Sequence, residues 1–345
     1  MMLNTISMPL FRYIPVTILV FLIVGCARQH EGTLRNDMID PDVKNIVTKL
    51  NATVIDALKN KDEKKLTSLM TEDLRASVSE NITPFLEQTS SIIKSKSFQA
   101  MDEYHTIKPL ADNDVTLISG NNADNDYIIQ YHSHSKESFV SILVPKRDGD
   151  RYLVSTFFIK DQGEWKLNTL QFGRHTISGF TAPELFRIAE KEQFNGHLIP
   201  AINRMVLSNT CMTPAESNWQ YRIASEMDAF NQSLTEQAQN MYPIPLIISE
   251  IETQPEIFKI MPQRVDNEIC TMIKYRSDIN IKDTLALAAE NKAMHDMASG
   301  LFPGIDDDVP FIFYRAFNEI PKEDISTPYF GFVRPVKENF PITGK

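Results

Sequence analysis

The sequence predicts an α+β protein: N-terminal helices on an antiparallel sheet, a helical hairpin linker, then a second small α+β domain. Three observations carry that class. Apolar residues recur at helical spacing between Val43 and Ile93. The period then changes to short runs rich in β-branched and aromatic residues, joined by connections too short for parallel crossovers. After two well-punctuated helices and a longer third one, strand-like runs return on either side of one more helix.

The chain opens on a leader. From Ile14 to Gly25 no residue is charged, and Arg12 lies just before. Twelve helical residues span roughly 18 Å, short of a bilayer core of roughly 30 Å. A basic start, a short apolar centre and a small residue at its end describe residues 1–25 as a signal peptide. Leu22-Ile23-Val24-Gly25-Cys26 resembles the bacterial lipobox. The resemblance implies that the leader is cut before Cys26 and that Cys26 is acylated, with palmitate among its acyl chains. Its place is then the cell envelope; Ala27 after the Cys fits the periplasmic side of the outer membrane if the source is Gram-negative. The alternative is an ordinary secretory peptide or an uncleaved anchor. Residues 26–39 are mostly polar and lack a periodic apolar face, which predicts a lipidated tether.

The first helix starts at Asp40, which can cap, with Pro41 at the first helical position and Asp42 at the positive end of the dipole. Val43, Ile46, Val47, Leu50, Val54, Ala57 and Leu58 form its stripe, and 59–62 end it. Leu66, Leu69, Met70 and Leu74 mark a second helix; Ile82, Phe85, Leu86, Ile92 and Ile93 mark a third. Five strands follow: "DVTLIS", "DYIIQYH", "ESFVSILVP", "RYLVSTFFIK" and "EWKLNTLQF". Turn-forming stretches separate them, which predicts a meander.

Helices first, then antiparallel strands closing on "GEWKLNTLQFG" at 163–173, resembles the nuclear-transport-factor-like (cystatin-like) superfamily over about residues 40–175. The resemblance implies a curved sheet and a cone-like domain, 40–178. Some members are isomerases or dehydratases that use an Asp with a His or Tyr inside the cone. Asp102, Tyr104, His105, Tyr127 and Tyr131 are the residues that could line it here.

Residues 179–242 read as helical. Thr181 and Glu184 form a capping box with Pro183 in the first turn, and a turn at 194–196 leads to a stripe of Leu198, Ala201, Ile202 and Met205. Thr213, Pro214 and Glu216 repeat the capping pattern. They predict a long helix through Ile223, Met227, Phe230, Leu234, Ala238 and Met241 that stops at Pro243. In the C-terminal domain, 243–345, "IFKIM", "EICTMIKY", "VPFIFYRAF" and "YFGFVRPV" read as strands. "DTLALAAENKAMHDMAS" reads as a helix stopped by Gly300.

The formal net charge is −10, and loss of Arg12 with the leader makes it −11. Such a chain repels phosphates, so no nucleic-acid partner is expected, and membrane attachment must come from the lipid on Cys26. Cys211 and Cys270 either form a disulfide, worth roughly 4 kcal/mol for so long a loop, or remain two buried thiols. His132 and His134 share a strand face and could bind Zn²⁺, but Asp124 and Asp126 lie in the preceding turn and no third ligand follows from spacing. Asp306, Asp307 and Asp308 lack the ligand spacing of a calcium loop. There is no nucleophile motif, and with 12 Gly no glycine-rich phosphate cradle. The expectation is a non-enzymatic binding or assembly module with no metal or cofactor, partnered by the membrane and an envelope protein. The alternatives are a carrier or sensor for a small apolar ligand, lined by Phe157, Phe158 or Trp165, and, last, an isomerase- or hydratase-type enzyme.

Overall fold

A computed structural model describes residues 31–336 apart from 94, 96, 121, 122, 147, 148, 267, 308 and 323–325. The leader and Cys26 lie outside the described residues.

The expected tether is ordered from Gly32. Strand β1 (Gly32–Arg35) pairs antiparallel with β2 (Phe98–Ile107), and Thr33 and Thr106 join hydroxyls at 2.9 Å. Four residues are too few for a period of two to stand out from a polar stretch. Helix α1 (Pro41–Asn60) starts as read: the Asp40 carboxylate accepts from the Asp42 and Val43 amides. The expected second helix is two. Between α2 (Glu63–Leu69) and α3 (Glu72–Val78), Met70 leaves the helix to bridge Leu167, and Thr71 caps the next turn. Helix α4 (Ile82–Ile92) follows.

The strands are β3 (Asn113–Ile118), β4 (Tyr127–Ser133), β5 (Glu137–Pro145), β6 (Arg151–Asp161) and β7 (Glu164–Thr176). They do not form one meander. The main sheet has the order β1-β2-β5-β6-β7, while β3 and β4 leave it as a hairpin. Strand β2 gave no clear signal because Asp102, Glu103 and His105 interrupt it, yet all three are buried.

Both faces of the main sheet are covered. Phe139, Leu143, Val154, Phe158 and Leu167 pack with Val47, Val54, Leu58, Leu66 and Leu86 of the N-terminal helices. Tyr104, Val140, Ile142 and Phe157 face the hairpin and two helices, α5 (Ala182–Phe194) and α6 (Leu198–Asn209). This explains why β5, buried at every position, is apolar on both faces at Phe139, Val140, Ile142, Leu143 and Val144 rather than alternating. A polar pin crosses the helix side. Asn51 of α1 donates to Ser141 Oγ at 2.8 Å and accepts from Thr156 Oγ1 at 2.7 Å, all three buried.

The Thr181–Glu184 capping box forms, with both reciprocal bonds. The second capping pattern does not start a helix. Residues 216–218 make a single 3₁₀ turn, and Trp219–Tyr221 form strand β8, which pairs antiparallel with β4. The indole of Trp219 stacks on Tyr127, centroids 3.8 Å apart. Burial of two large aromatics against the hairpin outweighs the local preference for helix, which begins at α7 (Ala224–Met241).

A second sheet is built from β9 (Leu246–Ile247), β10 (Glu256–Val265), β11 (Glu268–Arg276), β12 (Phe311–Phe317) and β13 (Phe330–Pro335). Its order is β13-β12-β11-β10-β9. Strands β11 and β12 are parallel, joined through α8 (Thr284–Leu301), as a parallel pair requires a crossover. Helix α6 serves both cores: Leu198, Ala201 and Met205 pack in the first, Ile199 in the second. Cys211 and Cys270 are buried free thiols, so the disulfide open to them is not formed.

Candidate functional site

Strand β1 sets Arg35 opposite Tyr104 on β2. From there the guanidinium donates to Asp102 Oδ1 through Nε at 2.9 Å and Nη2 at 2.6 Å, and through Nη1 to the Ser119 carbonyl. Asn36 adds a third bond to the same oxygen at 3.0 Å. The Tyr127 hydroxyl donates to Asp102 Oδ2 at 2.6 Å, with Tyr104 behind it. Burial pushes the Tyr104 phenol up to about 12 and Tyr127 well above its usual range, so both stay protonated donors.

This network forms one wall of a cavity of about 370 Å³. The rest of the wall comes from the connection between β3 and β4 through Ser119, Asn125 and Asp126, from β6 and β7 through Arg151 and His175, and from the start of α5 through Thr181 and Glu184. A volume above about 300 Å³ is in the range of small-molecule sites.

The wall groups differ in what they have left to offer. Asp102 is engaged by three residues. Glu184 is held by the α5 cap and by Asn125 at 3.2 Å, and Asp126 accepts the Ala123 amide at 3.0 Å. Arg151 is the exception: its only side-chain hydrogen bond among the described residues goes to Thr176 Oγ1 at 3.5 Å. His175 is buried, and its Nδ1 has no protein partner. Burial, reinforced by the positive charge of Arg151, pulls its pKa down to about 4, so the imidazole is neutral near pH 7. Its ring meets Trp219 edge-on at 6.4 Å. Trp219 Nε1 and Tyr221 OH also lack partners, so three unpaired buried polar atoms sit in one aromatic cluster. Buried polar atoms are ordinarily paired, and such a grouping calls for a ligand or bound water.

The residues considered for a cone interior divide. Asp102 and Tyr127 line the cavity and Tyr104 adjoins it. His105 lies on the opposite face, bonded to Glu137 at 3.0 Å and stacked on Phe139. Tyr131 bonds Ser138 at 2.8 Å and packs on Phe157. Phe157 and Phe158 are fully buried in opposite cores, and Trp165 packs at the second, so none of them lines an apolar interior. Among the described cavities an apolar hollow of about 150 Å³ lies instead among α2, α3, α4 and β7. In a cleft of about 330 Å³ between α1 and β2, Asn51 and both carboxylates are committed: Asn51 to the sheet, Asp56 to Lys65, Glu103 to Lys44. Asp124 pairs with Arg187 at 2.8 Å, far in role from any metal. Asp307 lies 3.6 Å from His197, and Asp308 lies outside the described residues.

Arg35, Arg151 and His175 escaped the sequence reading. Arg35 sits in a stretch that looks like tether, Arg151 opens a strand as a turn-flanking charge, and His175 follows the closing strand without a motif. The one available signal was Gly173 within β7: a Cβ there would collide with the Pro214 carbonyl, and a strand glycine marks close backbone approach.

Comparison with family models, with curated proteins and with solved structures found no match to this chain. Among the described residues no helix is long and apolar enough to cross a membrane.

Proposed function

We propose that this protein is a lipid-anchored protein of the bacterial cell envelope whose folded body binds a small polar ligand carrying an anionic oxygen. The observation that carries the binding reading is the cavity of about 370 Å³ in which Arg151 keeps unclaimed donors beside the unpaired Nδ1 of His175. An arginine fork recognises a carboxylate or phosphate oxygen through two parallel bonds. The neighbouring acids do not compete for it, because each is engaged by its own loop, cap or arginine. Groups held so firmly favour recognition over proton transfer: Asp102 is already shared by Arg35, Asn36 and Tyr127, and a neutral histidine of pKa about 4 is a weak base. The reading therefore stays with a binding module rather than an isomerase-type enzyme.

The anchor rests on Cys26 at the end of the leader and on a net charge that anionic headgroups repel. Two measurements test the proposal separately. Labelled palmitate fed to expressing cells should enter the chain, and Cys26→Ser should abolish both label and membrane fractionation; identical behaviour of the two chains would remove the anchor. A screen of small carboxylates and phosphates by thermal shift should yield ligands that raise the melting temperature. Arg151→Met should weaken them by about tenfold or more, in line with losing a charge-assisted pair. Ligands unaffected by that change would place binding elsewhere, and a screen without any anionic ligand would end this reading of the cavity.

A further inference from the structure

The hairpin β3–β4 brings together what sequence spacing did not. His132 on β4 and His134, just past the end of that strand, lie side by side, their ring centroids 4.8 Å apart. Across the hairpin, Asp114 is the register partner of His132, and their Oδ1 and Nδ1 atoms are 2.9 Å apart. Asp112, just before β3, places Oδ1 2.7 Å from His134 Nδ1. One ligand atom from each of Asp112, His132 and His134 lies within 4.8 Å of the others.

We propose that this hairpin face is a binding site for a divalent transition-metal ion of the zinc type. The imidazoles of His132 and His134 and the carboxylate of Asp112 are its ligands, and Asp114 positions His132. The chemistry suits the ion: borderline Zn²⁺ takes imidazole nitrogen and carboxylate oxygen, and three protein ligands leave a fourth place for water. The Asp114 carboxylate on His132 Nδ1 fixes that ring's tautomer and turns the lone pair of Nε2 outward, the support that metal-bound histidines usually have. In a tetrahedral zinc site neighbouring ligand atoms are about 3.4 Å apart, given bonds of about 2.1 Å. The ligand atoms, up to 4.8 Å apart here, must close by up to about 1.4 Å, which exposed side chains can do by side-chain rotation. Exposure also sets the limit: the site is open to water, so micromolar rather than nanomolar binding is expected. It is separate from the polar cavity, whose residues it does not share.

Isothermal titration of the purified full chain with ZnCl₂ and with MgCl₂ tests this. The expectation is one Zn²⁺ per chain, no Mg²⁺, and about tenfold or greater weakening by either His132→Ala or His134→Ala. Asp112→Asn is the most informative change. Asp112 has φ +54°, a conformation that Asn tolerates well, so the variant keeps its fold while losing the ligand charge. Asp114→Asn should weaken Zn²⁺ less than loss of a ligand and leave the stoichiometry at one. Circular dichroism checks each variant. No stoichiometric Zn²⁺, or one equivalent retained by the doubly substituted His132→Ala, His134→Ala chain with its native spectrum, would overturn the proposal.

Discussion

Acidification should destabilise this protein through His175. The imidazole is buried and its pKa falls from the ordinary 6.5 to about 4. A group whose folded pKa is depressed gives its full contribution to stability above the unfolded value and loses it as pH falls toward the folded one. The window therefore runs from about pH 6.5 down to about pH 4, in which the unfolded chain binds a proton that the folded chain refuses. Linkage over these two pKa values gives a loss of about 2 kcal/mol between pH 7 and pH 5, rising to about 3 kcal/mol at pH 4. Urea unfolding followed by circular dichroism at pH 7, 6 and 5 measures it. His175→Gln supplies the control: its own stability at pH 7 drops out, and only the difference in pH slope between the two chains is read. The parent chain should lose about 2 kcal/mol more than the variant. Equal slopes would show that His175 titrates at its ordinary value in the folded state and that its burial beside Arg151 has been misread.

Two further expectations follow from the packing. Asn51→Ala leaves Ser141 and Thr156 with unpaired hydroxyls in the core, so chemical denaturation should show a loss of about 2–4 kcal/mol; combining Asn51→Leu with Ser141→Ala and Thr156→Val should recover much of it, since no polar atom is then stranded. In Cys26→Ser protein, a thiol reagent should find no reactive group in the folded state and two in denaturant. Burial hides Cys211 and Cys270 and pushes the Cys211 thiol up to about 11.

Elements with strong local signals were legible. Asp40-Pro41-Asp42 announced α1, Thr181 and Glu184 announced α5, and the β-branched runs announced most strands. What failed depended on distant partners. Strand β1 exists because β2 offers it an edge, and β2 carries charges that are buried only because Arg35, Lys44 and Glu137 reach them. The Thr213–Glu216 pattern was a sound helix signal overridden by aromatic packing. The cavity was half legible: Asp102 and Tyr127 were in view, but nothing local indicated that Arg151 and His175, from other strands, would face them. The third group beside His132 and His134 was invisible for the same reason, since register across a hairpin decides it.

Strand β8 has a consequence for how the chain is made. It closes the small sheet by pairing residues 219–221 with 127–129, so the hairpin waits for a segment some ninety residues downstream. A chain that emerges N-terminus first must keep the outer edge of β4 bare until Tyr221 follows, with Tyr127 uncovered. Such an edge invites pairing with a neighbouring molecule, and late, distant closure is slow. A fragment cut at residue 178 would hold that exposed state permanently. It should self-associate where the longer chain stays monodisperse, so a newly made copy depends on staying extended, or guarded, until the last part of its first core has arrived.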